Sequence, residues 1–218
     1  MRTPVIRRGV AAVKAGFTLI ELLAVILIIS ILMTYLIPKI PEYIDTAEST
    51  ACRANMGEIY KGFTVYQIKH KRAPNESGVR FFAKLITHKV WENSESSAQR
   101  LTCPGVDRGA LAIGDLDPEE WFSDLDVLDG SYSSYAGRDC DNYPLRKFPG
   151  SNKIVIVADD NDGGMNHLTT TNALYAGGFV GTFELATLQL DGILDEEEDL
   201  LLVGPESPVE ELTKLSLD

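Results

Sequence analysis

Between Phe17 and Ile37 the chain reads FTLIELLAVILIISILMTYLI, twenty-one residues with a single charge, Glu21. As an α-helix rising about 1.5 Å per residue, such a stretch covers about 30 Å, the thickness of a bilayer's hydrocarbon core. A helix apolar on every side does not sit on a soluble surface; it spans a membrane or is enclosed by other apolar helices. Arg2, Arg7, Arg8 and Lys14 precede it without any acid, whereas residues 39–60 are mixed in sign. The positive-inside rule therefore puts residues 1–16 in the cytoplasm and everything after about Ile40 across the membrane.

Glu21 is the anomaly. A carboxylate inside hydrocarbon costs about 2.5–3.5 kcal/mol or more unless it is paired or protonated, so an intramembrane acid points to function. A plain single-pass anchor has no use for it. An ordinary secretory signal does not fit either: its apolar stretch is shorter and ends at small residues, whereas here Pro-Lys-Ile-Pro-Glu-Tyr follows.

Gly16-Phe17-Thr18-Leu19-Ile20-Glu21-Leu22-Leu23, behind a basic leader and ahead of a spanning helix, closely resembles the processing site of type IV pilins and type II secretion pseudopilins. That resemblance implies cleavage between Gly16 and Phe17 by a prepilin peptidase and N-methylation of the new terminal Phe17. It makes Glu21 the fifth mature residue, the family's assembly glutamate. It also implies a filament of this chain with itself and other pilin-like subunits, built by an assembly platform protein and, indirectly, a cytoplasmic ATPase. The precursor then sits in the inner (cytoplasmic) membrane, with its C-terminal domain periplasmic or otherwise extracytoplasmic. Physically, the α-amine freed at Phe17 pairs with a neighbour's Glu21 in a low-dielectric core, so a misregistered subunit leaves a charge unpaired. Pro38 and Pro41 each remove a helical N–H and are expected to kink the helix, which the family also bends at the position of Pro38.

Beyond Pro41, Ile44, Ala47, Ala51, Met56, Ile59, Phe63 and Tyr66 recur at three to five residues, an amphipathic helix closing near Lys69-His70-Lys71-Arg72. Residues 79–91 hold a short apolar, helix-like segment, and Ser94–Gln99 reads as a polar linker. Residues 131–135 and 154–157 are strand candidates, and residues 173–175 with 179–185 make a hairpin around Gly177-Gly178. The expected organisation is a leader (1–16), a transmembrane polymerisation helix (17–40), an amphipathic helix (41–72), a globular domain (73–190) and a mobile acidic tail (191–218). The fold class is α+β: a long N-terminal helix packed on a small C-terminal antiparallel sheet. A second resemblance spans about residues 50–185. Cys52-Arg-Ala-Asn-Met, Cys103-Pro104, Ile154–Asp159 and Asn166-His167 look like prepilin-type proteins of planctomycetes and verrucomicrobia that carry a His, nine residues, then Asp-Gly. Here Gly177 stands in place of that aspartate.

Charge narrows the partners. The chain's formal charge is −12 and residues 1–16 carry +4, leaving −16 for the rest. So acidic a domain repels nucleic-acid backbones, and no nucleic-acid partner is expected; the bilayer is. Three cysteines, Cys52, Cys103 and Cys140, permit one disulfide of undetermined pairing. No C-x-x-C occurs, and His70, His88 and His167 lie outside zinc-motif spacing.

Asp159-Asp160-Asn161-Asp162-Gly163-Gly164 offers hard oxygen ligands on a turn, which suits calcium. Major pseudopilins carry a calcium site in a C-terminal loop, but the EF-hand's twelfth-position Glu is missing here and a solvated acidic loop competes. No other cofactor is expected. Gly114–Gly130 is a second acidic cluster, tied to the core through Trp121, Phe122 and Leu125. Without a nucleophile elbow, phosphate loop, HExxH or dinucleotide fingerprint, no enzymatic activity is expected. The resulting reading is a structural subunit of a type II secretion pseudopilus or related filament. Its alternatives are a type IV pilus subunit for adhesion, motility or DNA uptake, and a static single-pass membrane-anchored binding protein that tolerates Glu21→Ala.

Overall fold

A computed structural model describes residues 17–161 and 163–218; Gly16 of the processing site and Asp162 of the acidic loop lie outside the described residues. Two units divide at Pro41/Glu42.

The first unit is α1 (Leu19–Leu36) followed by a 3₁₀ turn at Ile37–Lys39. Leu and Ile favour the helix, and Thr18 caps it: its hydroxyl accepts the Glu21 N–H while the Glu21 carboxylate accepts the Thr18 N–H, a capping box. The two aliphatic hydroxyls within α1 are satisfied along the helix itself, Ser30 donating to the Ile26 carbonyl and Thr34 to that of Ser30. Polar groups in hydrocarbon need such internal partners. No residue of α1 is buried. The expected irregularity falls at Pro38, whose missing N–H coincides with the switch to 3₁₀ geometry. Pro41 is the second residue of α2 (Ile40–His70), within the first turn, where a missing N–H is tolerated.

In the second unit, α2 buries Cys52, Met56, Ile59, Phe63 and Tyr66, at steps of four, three, four and three. The buried stripe thus begins later than the sequence pattern suggests: Ile44, Ala47 and Ala51 are exposed, and Cys52 takes the core position. α3 (Gly78–Thr87) packs Phe81, Phe82, Leu85 and Ile86 against that stripe. The basic end of α2 is used as a cap, Lys69 donating to the carbonyls of His88 and Lys89. The segment read as a polar linker forms a short helix, α4 (Glu95–Gln99), capped by Ser94. The acidic stretch after it winds through 3₁₀ turns pinned by buried Ile113, Phe122 and Leu128.

Five strands follow: β1 (Tyr135–Arg138), β2 (Val155–Asp159), β3 (Thr170–Tyr175), β4 (Val180–Glu184) and β5 (Leu215–Ser216), with α5 (Leu185–Leu190) after β4. They form one antiparallel sheet in the order β4-β3-β2-β1-β5. The β3–β4 hairpin turns at Gly177-Gly178, and Gly178 has φ +91°, a conformation that favours glycine. The first strand lies a few residues downstream of the expected one because residues 130–132 are a 3₁₀ turn capped by Asp129.

One sheet face packs on α2 and α3, and the other is covered by the C-terminal residues. This overturns the expectation of a mobile tail over 191–218. Leu194, Leu201, Val203, Val209, Leu212 and Leu215 are buried against Ala136, Val155, Ala158 and Ala173. The acids that suggested disorder, among them the run Asp195–Asp199, stay in solvent, so like-charge repulsion is screened by water while the Leu and Val side chains are removed from it. Asn161, fully buried, donates to the Thr171 hydroxyl and the Leu201 carbonyl, tying tail to sheet.

Candidate functional site

Two constellations carry chemistry, one in each unit. In the first, Phe17 is 85% exposed and stands directly before the cap of α1. The Glu21 carboxylate accepts the Thr18 N–H at 2.8 Å and the Thr18 hydroxyl at 2.7 Å. Its charge is thus held by local donors at the helix start, where the macrodipole also favours an anion. Around it Leu19, Ile20, Leu22 and Leu23 are all exposed. This end of the helix can offer one carboxylate and a continuous apolar surface to another helix.

The second constellation lies between α2 and the sheet. Cys52 comes from α2, Cys103 from the loop after α4, Asp159 from the last position of β2, and His167 from the loop between β2 and β3. All four are buried. The Cys52 thiol donates to Asp159 Oδ1 at 3.0 Å, His167 Nε2 is 3.4 Å from Cys103 Sγ, and the same nitrogen is 3.6 Å from Asp159 Oδ2. One donor atom from each residue falls in a set within 4.8 Å.

Surrounding groups fix each member. The Tyr135 hydroxyl donates to Cys52 Sγ at 3.4 Å, while Asn172 donates its backbone N–H (2.7 Å) and its side-chain amide (3.1 Å) to Asp159 Oδ2. The Ser134 hydroxyl accepts the Cys103 N–H at 2.7 Å. Gly105 lets the two loops approach closely, since a Cβ there would lie 2.8 Å from the Asn166 carbonyl oxygen.

Electrostatics couple the four. Burial pushes the Cys52 thiol well above its usual range, with Cys103 and Asp159 adding to the effect. The neighbouring Cys52 thiol lowers Cys103 to about 7, overcoming burial, with help from His167. Burial opposes the imidazolium of His167, but Cys103, Asp159 and Asp45 outweigh it and raise the group to about 9. Burial raises Asp159, against the pull of His167. The cluster can hold a proton or a cation among four donors that water does not reach.

The three cysteines are unbridged. Cys140 lies apart, its thiol directed at the Pro74 carbonyl, whereas Cys52 and Cys103 share the cluster. Of the acidic loop, Asp159 turns inward to Cys52 and His167, and the Asp160 N–H donates to the Ser134 carbonyl. Sequence reading named all four cluster residues but in separate roles. Their separations in the chain are too long for any local motif, and only strand register brings Asp159 opposite α2.

A family profile described as the prokaryotic N-terminal methylation motif matches residues 12–37. The ComG operon protein 3 homolog of Bacillus licheniformis is 35% identical over 65 residues, 29% of this chain and 67% of that relative. This chain belongs to the type IV pilin-like family. A second relative of this pilin-like chain, the competence protein ComGC of Halalkalibacterium halodurans, is 34% identical over 61 residues, covering 28% of this chain and 60% of the relative's length. No solved structure matches. The pilin-like chain has one described helix long and apolar enough to cross a membrane, consistent with single-pass anchoring.

Proposed function

We propose that this pilin-like chain is a structural subunit, processed after Gly16 and assembled through α1 into a filament. The observation that carries the reading is the junction itself: Phe17 exposed, Glu21 held at the helix start, and an uninterrupted apolar surface beyond. Among soluble surroundings such a helix exposes far more apolar area than a monomer tolerates. Bilayer before assembly, and neighbouring helices after it, supply the cover. The precursor is oriented with residues 1–16 in the cytoplasm and the sheet domain outside, by the charge bias of its flank. A prepilin peptidase removes the leader; a platform protein and a cytoplasmic ATPase drive extraction into the fibre. The chain itself turns over no substrate.

Both a type II secretion pseudopilus and a DNA-uptake filament use such a subunit. The printed name of one relative, a competence protein, favours the second, and the similarity to both extends over less than a third of this chain. The deciding measurement is the N-terminal sequence and intact mass of the protein taken from its native membrane. A chain starting at methylated Phe17 supports the reading. A chain still starting at Met1 marks a static anchored binding protein instead, and a start beyond residue 38 marks ordinary secretion.

A further inference from the structure

We propose that Cys52, Cys103, Asp159 and His167 form a closed, four-coordinate structural site for one divalent transition metal ion, zinc by donor chemistry, that pins α2 to the end of the sheet. The inference stands on the second unit alone and does not depend on the filament reading.

Geometry is the first support. With Zn–S about 2.3 Å and Zn–N or Zn–O about 2.0–2.1 Å, the edges of a coordination tetrahedron run about 3.3–3.8 Å. Sulfur to nitrogen across Cys103 and His167 is 3.4 Å, and nitrogen to oxygen across His167 and Asp159 is 3.6 Å. Cys52 Sγ lies 3.0 Å from the other carboxylate oxygen, Asp159 Oδ1, as a direct thiol hydrogen bond requires. All four donor atoms lie within 4.8 Å of one another. A shift of the four side chains toward a common centre, with one Asp159 oxygen as ligand, completes the tetrahedron.

Donor chemistry is the second. Two thiolates with an imidazole select a borderline-soft ion, and tetrahedral sulfur–nitrogen sites are those of zinc; magnesium or calcium would need oxygen ligands. Four protein donors leave no open position, so the site is structural rather than hydrolytic.

The outer groups are the third. Metal-bound histidine normally presents its other ring nitrogen to a carboxylate. His167 Nδ1 is buried without a well-formed hydrogen bond, and Asp45 Oδ1 lies 3.5 Å away on α2. The Tyr135 hydroxyl faces one sulfur, and the two Asn172 N–H groups hold the Asp159 carboxylate. The alternative for two thiols so close is a Cys52–Cys103 disulfide. A bridge would leave Asp159 and His167 buried together with no role for the second ring nitrogen.

The test uses the full-length chain purified in detergent without chelator. Elemental analysis should find about one zinc per chain. Stripping the ion with a chelator should lower Tm, and adding Co²⁺ to the stripped wild type should give the visible absorption and thiolate-to-cobalt charge-transfer band of a tetrahedral thiolate site. Cys103→Ser and His167→Ala should lose zinc, while Cys140→Ser keeps it. Because the first two variants can fail to fold, the cobalt spectrum of the wild type stands as the independent readout. An intact mass lighter by two hydrogens with no metal would identify the disulfide and overturn the proposal. So would zinc content that Cys103→Ser and His167→Ala leave unchanged in folded protein, or a stripped wild type that takes up no cobalt.

Discussion

Gly137 of β1 faces the carbonyl of Gly78 so closely that a Cβ on Gly137 would lie 1.9 Å from that oxygen. The first turn of α3 therefore rests directly on the strand, with backbone against backbone. Gly78 has φ +60°, and a Cβ on it would fall 2.2 Å from the Asp218 carbonyl carbon. Two glycines set the spacing of three layers: helix, sheet and C-terminus.

Gly137→Ala should then be among the most damaging single-methyl additions in the domain. No flexible side chain can give way, so α3 must lift from β1 at a cost of about 3 kcal/mol, the upper end for an added methyl group. For a chain of this size that is a fall of about 6–12 °C in Tm. Thermal melts of the full chain in detergent measure it; a change within about 2 °C would contradict the close approach.

The C-terminal residues should behave as core. Leu212 is fully buried against the second face of the sheet, and Leu212→Ala should cost about 2–5 kcal/mol through lost burial and a cavity. Exposed Glu197, in the acidic run of the same segment, is the control: Glu197→Ala should stay within about 0.5 kcal/mol. Equal, negligible effects in denaturant melts would restore the picture of a loose tail.

A pH effect is expected at the far end of α2. His88 lies against Tyr66 and His70, with ring centroids 5.6 and 5.4 Å away. Burial holds it below the ordinary histidine range, reinforced by Lys84, His70 and Arg72 and opposed by Glu76. A depressed folded-state value means the unfolded chain binds the proton first, so stability is lost as pH falls through about 6.5. His88→Gln should flatten that part of the stability–pH curve relative to wild type. Other groups titrate over the same range, so the difference between the two proteins is the informative quantity. Parallel curves would remove His88 from the account.

What the chain's letters disclosed depended on the range of the interaction. The membrane-type helix, the Pro38 irregularity and the β3–β4 hairpin are local patterns of period, cap and turn, and each was readable. Residues 191–218 misled because composition counts acids without recording that Leu194, Leu201, Val209 and Leu212 meet one surface. The cluster of Cys52, Cys103, Asp159 and His167 misled for a related reason. Asp159 sits beside Asp160 and so resembles an acidic loop, but it closes β2 with its carboxylate buried and bonded to Cys52 of α2. Pairing of β2 with β1 and β3, together with the α2 stripe, decides which side meets a cysteine, and that register is a property of the whole domain.

Glu21 has two separable roles, capping α1 and presenting a charge, and a pair of substitutions tells them apart. Glu21→Gln keeps an oxygen that can accept the Thr18 N–H, so the cap survives while the charge is gone. Thr18→Val does the reverse: it removes the hydroxyl cap, at about 1 kcal/mol, and leaves the carboxylate. If register in the filament is set by pairing Glu21 with the α-amine of a neighbour's Phe17, Glu21→Gln should insert in the membrane and be processed normally yet form few filaments. Loss of a buried counter-charge leaves the amine unpaired, which costs about 3–5 kcal/mol per contact, enough to reduce assembly by more than a hundredfold. Thr18→Val should assemble with at most a modest loss. Counting filaments by electron microscopy beside an immunoblot of processed subunit distinguishes the cases. Normal filaments from Glu21→Gln together with defective ones from Thr18→Val would assign Glu21 to the helix start alone and remove charge pairing from the assembly step.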